Sequence, residues 1–270
     1  MKTAIENPMT RSMKDLVGYP IDAEDGKIGR VDDFLLDDEE LAVRYMVADT
    51  GGWLSSDLVL ISPRHLKEPD LGKIRNHLPV GLTREQVESC PPLALATPIS
   101  RQYELRYARH YGLLPYWRGG YLWGSHGNPA ISPLATPQPP EEPEPQPTTQ
   151  EFEPTHLRSF SELRLFGISA KDGDIGTVDD FIVECHSWQL RFLVVDTNKW
   201  LPGGKVLVSV DWLSRFNWSE GCVEVELSKE QIKGAPLFDP TRGVNENYER
   251  ELYDYYGKPV REITVPAMPF

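Results

Sequence analysis

The sequence predicts a mainly β protein made of two small antiparallel β-barrels, each followed by short helices, with a proline- and glutamate-rich linker between them. Three observations predict it. An internal repeat of about one hundred residues covers most of the chain. Within each copy, short apolar-alternating runs are separated by turn signals, and the helix period is absent there. Between the copies runs ISPLATPQPPEEPEPQPTTQEFEP, which has too little apolar surface to bury and reads as an extended spacer. The implied division is 14–123 for the first domain and its helical tail, 124–155 for the linker, and 156–270 for the second domain and its tail.

The repeat is read directly from the residues. Val31-Asp32-Asp33-Phe34 recurs as Val178-Asp179-Asp180-Phe181, 147 positions on. The same offset aligns Tyr45 with Phe192, Asp49-Thr50 with Asp196-Thr197, and Trp53-Leu54 with Trp200-Leu201. Further along, Leu82 to Val87 matches Leu227 to Ile232 at an offset of 145. Expected strands in the first copy are Val17–Ala23, Lys27–Leu36, Ala42–Asp49 and Leu58–Ser62. In the second they are Arg164–Ala170, Asp174–Val183, Gln189–Asp196 and Lys205–Ser209. Asp25-Gly26 and Asp172-Gly173 read as two-residue type I′ hairpin turns. A closed barrel would also remove exposed strand edges.

Each copy then carries a short capped helix. Thr83 with Gln86, and Ser228 with Gln231, form capping boxes, stapled by Leu82 with Val87 and Leu227 with Ile232. A second helix follows, RQYELRYARHYG in one copy and ENYERELYDYYG in the other. Tyr103, Tyr107 and Tyr111 form a stripe at four-residue spacing, as do Tyr248, Leu252 and Tyr256. Each stripe is expected to pack on its own barrel, with docking of a partner or of the other copy as the alternative.

The pattern around D-G-x-x-G-x-V-D-D-F, followed by V-x-D-T-x-x-W-L, V-L-V-S and a tail with Y-E-x-x-x-Y-x-Y-G, resembles the PRC-barrel family. That family includes the cytoplasmic domain of the photosynthetic reaction-centre H subunit, a domain of a ribosome maturation factor, and small stand-alone bacterial proteins. The resemblance implies a small β-barrel in each half. The first copy departs from it at Ser55-Ser56, where the second has Pro202-Gly203-Gly204.

The chain has 28 basic against 41 acidic residues, a formal net charge of −13, which disfavours a nucleic-acid partner. No apolar run reaches the roughly 18 residues of a membrane span, and the N-terminus has no signal-peptide core. Cys90, Cys185 and Cys222 form no framework and no C-x-x-C pair, so a reduced, cytoplasmic setting is expected.

No catalytic residue, cofactor or metal ligand is assigned. The six histidines stand in no ligand spacing and at no matched position. The duplicated acids Asp32, Asp33, Asp49, Asp179, Asp180 and Asp196 need an explanation, because aspartate is poor in strand interiors. A bulge or Asx-turn role is favoured over a hard-cation site. Trp53 and Trp200 follow the third strand of each copy and read as barrel-end packing or a ligand platform. Tyr116, Trp117, Tyr121 and Trp123 occur in the first copy alone, as a segment that either folds back on its barrel or meets a partner. The expected function is a non-catalytic interaction or assembly protein that works through a protein partner or self-association. The alternatives are a peripheral accessory of a membrane complex of the photosynthetic or electron-transfer type, and a ribosome- or RNA-associated factor.

Overall fold

The structure is a computed structural model that describes residues 10–51, 58–67, 77–91, 93, 99–131, 155–197 and 204–259. Its elements come in two similar series, the second with one more strand among the described residues. The first series is β1 (Thr10–Ser12), α1 (Met13–Leu16), β2 (Pro20–Ala23), β3 (Gly26–Asp37), β4 (Ala42–Asp49), β5 (Leu58–Ile61), β6 (Leu78–Pro79), α2 (Arg84–Glu88) and α3 (Arg101–His110). The second is β7 (Leu157–Ser159), α4 (Phe160–Leu163), β8 (Gly167–Ala170), β9 (Gly173–Glu184), β10 (Leu190–Asp196), β11 (Lys205–Ser209), β12 (Leu213–Asn217), β13 (Cys222–Val225), α5 (Lys229–Lys233) and α6 (Glu246–Tyr256).

The chain is mainly β and forms two sheets. One runs β5-β4-β3-β2-β6, and the other β11-β10-β9-β8-β13-β12. All pairs are antiparallel except β2 with β6 and β8 with β13. The two outer strands β11 and β12 are joined by the single turn Val210–Trp212. In the other sheet, Leu66 follows the equivalent turn Pro63–His65 and bridges Val80, next to β6. Each core is aliphatic and aromatic: Phe34, Leu36, Val43 and Met46 in one, Phe181, Val183, Phe192 and Leu193 in the other, all at most 1% exposed. Burying each such side chain contributes about 1.5–3 kcal/mol.

Two compact units emerge, and their membership departs from the linear division at its ends. One unit comprises residues 17–160 together with 186–188; the other comprises 1–16, 161–185 and 189–270. Residues 14–16, assigned from sequence to the first domain, therefore belong with the second repeat. Residues 156–160, at the start of the second domain, belong with the first. The cause is strand length. β3 and β9 each span twelve residues, but β2 and β8 have only four, and cover β3 to Arg30 and β9 to Thr177. The remainder of that edge would be left with unpaired N–H and C=O groups. β7 covers it on β3, with Leu157 opposite Asp37 and Ser159 opposite Leu35. β1 covers it on β9, with Thr10 opposite Glu184 and Ser12 opposite Ile182. The two pairings are equivalent under the 147-residue offset.

The hairpin turns also differ from expectation. Ala23 pairs with Gly26 and Ala170 with Gly173, so the loops are Glu24-Asp25 and Lys171-Asp172. None of these four residues has a positive φ, which excludes type I′. The turn is displaced by one residue because its aspartate has another task. Asp25 Oδ1 accepts from Arg84 N at 2.8 Å, and Asp172 Oδ1 from Lys229 N at 2.7 Å, satisfying a free amide at the start of α2 and α5. Both capping boxes are formed. Gly29 and Gly176 are demanded by close packing: a Cβ would lie 1.9 Å from Asp49 O in one case and 2.5 Å from Asp196 O in the other.

Candidate functional site

The Asp-Asp pair of each repeat lies on the uncovered stretch of the long strand. Between β3 and β4, Val31 pairs with Ala48 and Asp33 with Val47, so Asp32 is the extra residue of a bulge. Between β9 and β10, Val178 pairs with Val195 and Asp180 with Val194, so Asp179 occupies the same position. The bulge turns the following aspartate towards the gap between the two short strands on the opposite edge.

There Asp180 stands in for a missing strand partner. Its Oδ1 accepts from its own neighbour Phe181 N at 2.8 Å and from Lys14 N at 2.9 Å. Its Oδ2 accepts from Ser12 Oγ at 2.5 Å. Ser12 Oγ in turn accepts from Asp15 N at 3.0 Å, capping the turn of α1. Burial pushes the Asp180 carboxyl up to about 6, against the downward pull of these donors. Asp179 points outward to Lys14 Nζ at 2.8 Å and Lys205 Nζ at 2.6 Å. Burial acts upward on it too, but the two lysines hold it below the usual aspartate value. In the other unit Asp33 Oδ2 accepts from Ser159 Oγ, again at 2.5 Å. Asp32 is raised by burial and then by the charges of Asp33 and Asp49. Asp49 makes the expected Asx turn, accepting from Gly51 N at 2.8 Å, and Asp196 ends β10 opposite Lys205. Asp33, Asp179 and Asp180 therefore clamp a segment that comes from the other repeat, and Asp49 and Asp180 hold backbone amides.

A second polar cluster is confined to the unit of the first repeat. Arg44, 2% exposed, pairs with Asp37 Oδ2 through Nε at 3.1 Å and Nη2 at 3.0 Å, and donates to Leu122 O. Its guanidinium lies 4.0 Å from the Tyr116 ring centroid and 5.1 Å from that of Trp123. Glu104, 0% exposed, accepts from Arg101 Nη1 at 2.8 Å, Tyr116 OH at 2.8 Å and Tyr45 OH at 3.2 Å. Burial raises its carboxyl, with Arg101 and the two phenols acting downward. The second repeat solves the same problem with a direct pair, Arg191 to Glu249. The aromatic segment thus folds back on its own unit through Tyr116 and Trp123, which are buried, while Trp117 stacks on Arg101 at 4.1 Å and Tyr121 stays out in solvent. Trp123 Nε1 donates to Ser187 O at 2.7 Å. Trp53 and Trp200 lie outside the described residues.

The tyrosine stripes pack inward. Tyr107 OH accepts from Ser62 N at 2.8 Å and its ring lies 5.2 Å from that of Tyr45; Tyr253, one position beyond the expected stripe, meets Ser209 Oγ at 3.2 Å. Burial pushes the thiols up, Cys90 to about 11 and Cys185 to about 12, so they stay protonated near neutrality. Burial and the Arg64 charge hold His65 down at about 4, and its Nε2 has no hydrogen-bond partner among the described residues. No group of three or more His, Cys, Asp or Glu among the described residues is placed to hold a metal. An open depression lined by Gly234, Pro236, Asn247, Arg250, Glu251, Asp254 and Tyr255 brings together no acid–base pair with a nucleophile.

Sequence reasoning missed the strand-plus-turn elements β1–α1 and β7–α4. The signal was present: Arg11-Ser12 and Arg158-Ser159 are identical dipeptides at the same 147-residue offset, each followed by a large apolar residue. It also missed Trp188, whose φ of +58° matches the +52° of its counterpart Leu41, and whose carbonyl accepts from Val43 N at 2.8 Å.

Residues 10–77 match the PRC-barrel domain family. Over that stretch the chain is similar to a PRC-barrel domain. The match spans about a quarter of the chain and begins at Thr10, so the PRC-barrel sequence unit includes the strand that pairs with β9. No curated protein matches the chain. No helix among the described residues is long and apolar enough to cross a membrane.

Proposed function

We propose that this chain is a non-catalytic interaction and assembly protein, built from two PRC-barrel-type repeats that each lend the other a strand. The observation that carries the reading is the reciprocal pairing of β1 with β9 and of β7 with β3. The most conspicuous polar residues of both repeats serve it. Asp33 and Asp180 anchor the incoming serine, and Asp179 holds Lys14. The aromatic side chains that looked most able to meet a ligand, Tyr116 and Trp123, instead cover Arg44. Carboxylates committed to backbone amides and thiols held protonated are poor reagents, and good mortar.

The test is cleavage of the connection between the repeats. A protease site placed within residues 137–147 of the full chain is cut after folding, and the products are run on a sizing column under native conditions. The two pieces are expected to co-elute at the mass of the uncut chain. Separation into two independently folded monomers would refute the strand-lending scheme.

A further inference from the structure

We propose that the strand-accepting edges of β3 and β9 also join separate copies of this chain, by the same exchange made between molecules instead of within one. The proposal rests on the assembly reading above and names the partner: a second copy of this chain.

Four observations carry it. The donors are equivalent, since Thr10-Arg11-Ser12 and Leu157-Arg158-Ser159 meet their acceptors in the same register and each serine reaches an aspartate at 2.5 Å. The contact is short, three residue pairs, an aspartate clamp and the buried side chain that follows the serine, Met13 or Phe160, so it can open without dismantling a sheet. The charges are complementary in a chain of net charge −13. On the donor side, Arg158 Nε lies 3.0 Å from Asp38 Oδ2 and His156 Nδ1 3.1 Å from Asp38 Oδ1; Arg11 stands opposite Val183, next to Glu184 on β9. Finally, each chain holds two donors and two acceptors. Two chains can therefore satisfy one another with no edge left over, which is the closed outcome of a domain swap.

Because the contacts are the same in either arrangement, the balance is set by concentration. The covalent connection gives the internal donor an effective concentration of about a millimolar, so exchange within one chain dominates below that and exchange between chains competes near it. Local crowding on a scaffold or surface would shift the chain from closed monomer to linked pair.

The experiment uses full-length chains with Cys185 changed to Ser. One population carries Thr10→Cys, the other Glu184→Cys, residues opposite one another in the β1–β9 register. The two are mixed, unfolded, and refolded together at micromolar and at near-millimolar concentration, then oxidised and resolved on a non-reducing gel. A chain carrying both cysteines is the internal control. The expected result is an internal disulfide in the control at all concentrations, and a mixed disulfide-linked pair whose yield rises about tenfold or more at the higher concentration. An internal disulfide with no mixed pair at any concentration would overturn the proposal and leave the assembly reading standing. Failure of the control to link would overturn both.

Discussion

Asp180 is a carboxylate that the fold holds away from water, and replacing it with its neutral isostere should change how stability responds to pH. In Asp180→Asn the amide oxygen can still accept from Lys14 N and Phe181 N, and the amide nitrogen can donate to Ser12 Oγ. The charge alone is lost. In the folded chain burial raises this carboxyl from its ordinary 3.8 to about 6. The folded state therefore binds the proton more tightly than the unfolded state. The stabilisation this gives is fully present below about pH 4 and is lost as the pH rises through about 6. A shift of that size corresponds to roughly 3 kcal/mol as a ceiling. The stability difference, Asn variant minus natural chain, is thus expected to start near zero at pH 4 and to climb in favour of the variant to at most roughly 3 kcal/mol by pH 8. Urea unfolding followed by tryptophan fluorescence, at pH steps between those limits, measures it; groups not coupled to Asp180 are common to both chains and cancel, and the coupled neighbour is Asp179. A difference that stays constant across that range would refute the argument that Asp180 is a buried, proton-binding clamp.

Four further substitutions test the packing around the site. Gly29→Ala places a methyl group 1.9 Å from the Asp49 carbonyl and is expected to cost about 3 kcal/mol or more in thermal or urea unfolding, because β3 and β4 must part. Gly51→Ala is the comparison: nothing lies within 4 Å, its φ is +65°, and the expected cost is about 1–2 kcal/mol. Glu104→Ala strips the acceptor from Arg101, Tyr45 and Tyr116 in a buried cluster and is expected to cost about 3–5 kcal/mol. Glu104→Gln keeps one acceptor oxygen and should fall well short of that; equal losses in the two variants would count against the network.

Much of this was legible because the repeat displays each local rule twice. The capping boxes, the β4 and β10 strands and the bulge at the aspartate pair follow from residue types whose preferences act within a few positions. The turn at Asp25-Gly26 was misread by one step because its dipeptide suits a type I′ loop, while the aspartate is claimed by the Arg84 amide 59 residues away. The strand lending was invisible for a related reason. Three-residue strands have no period of their own, and the feature that demands them is the bare edge left by an unequal pair of neighbours. Tyr116 and Trp123 stand out in the sequence, but only the placement of Arg44 decides whether such rings face a partner or roof a cation.

The borrowed strand also sets a timetable. β3 reaches its last residue at position 37, yet the strand that covers its far edge starts at position 157. A ribosome must therefore add some 120 residues before the first module can be finished, and non-local pairings of this kind are slow to form and exposed to aggregation. A messenger cut short before position 157 leaves a half-made product with a bare, adhesive rim.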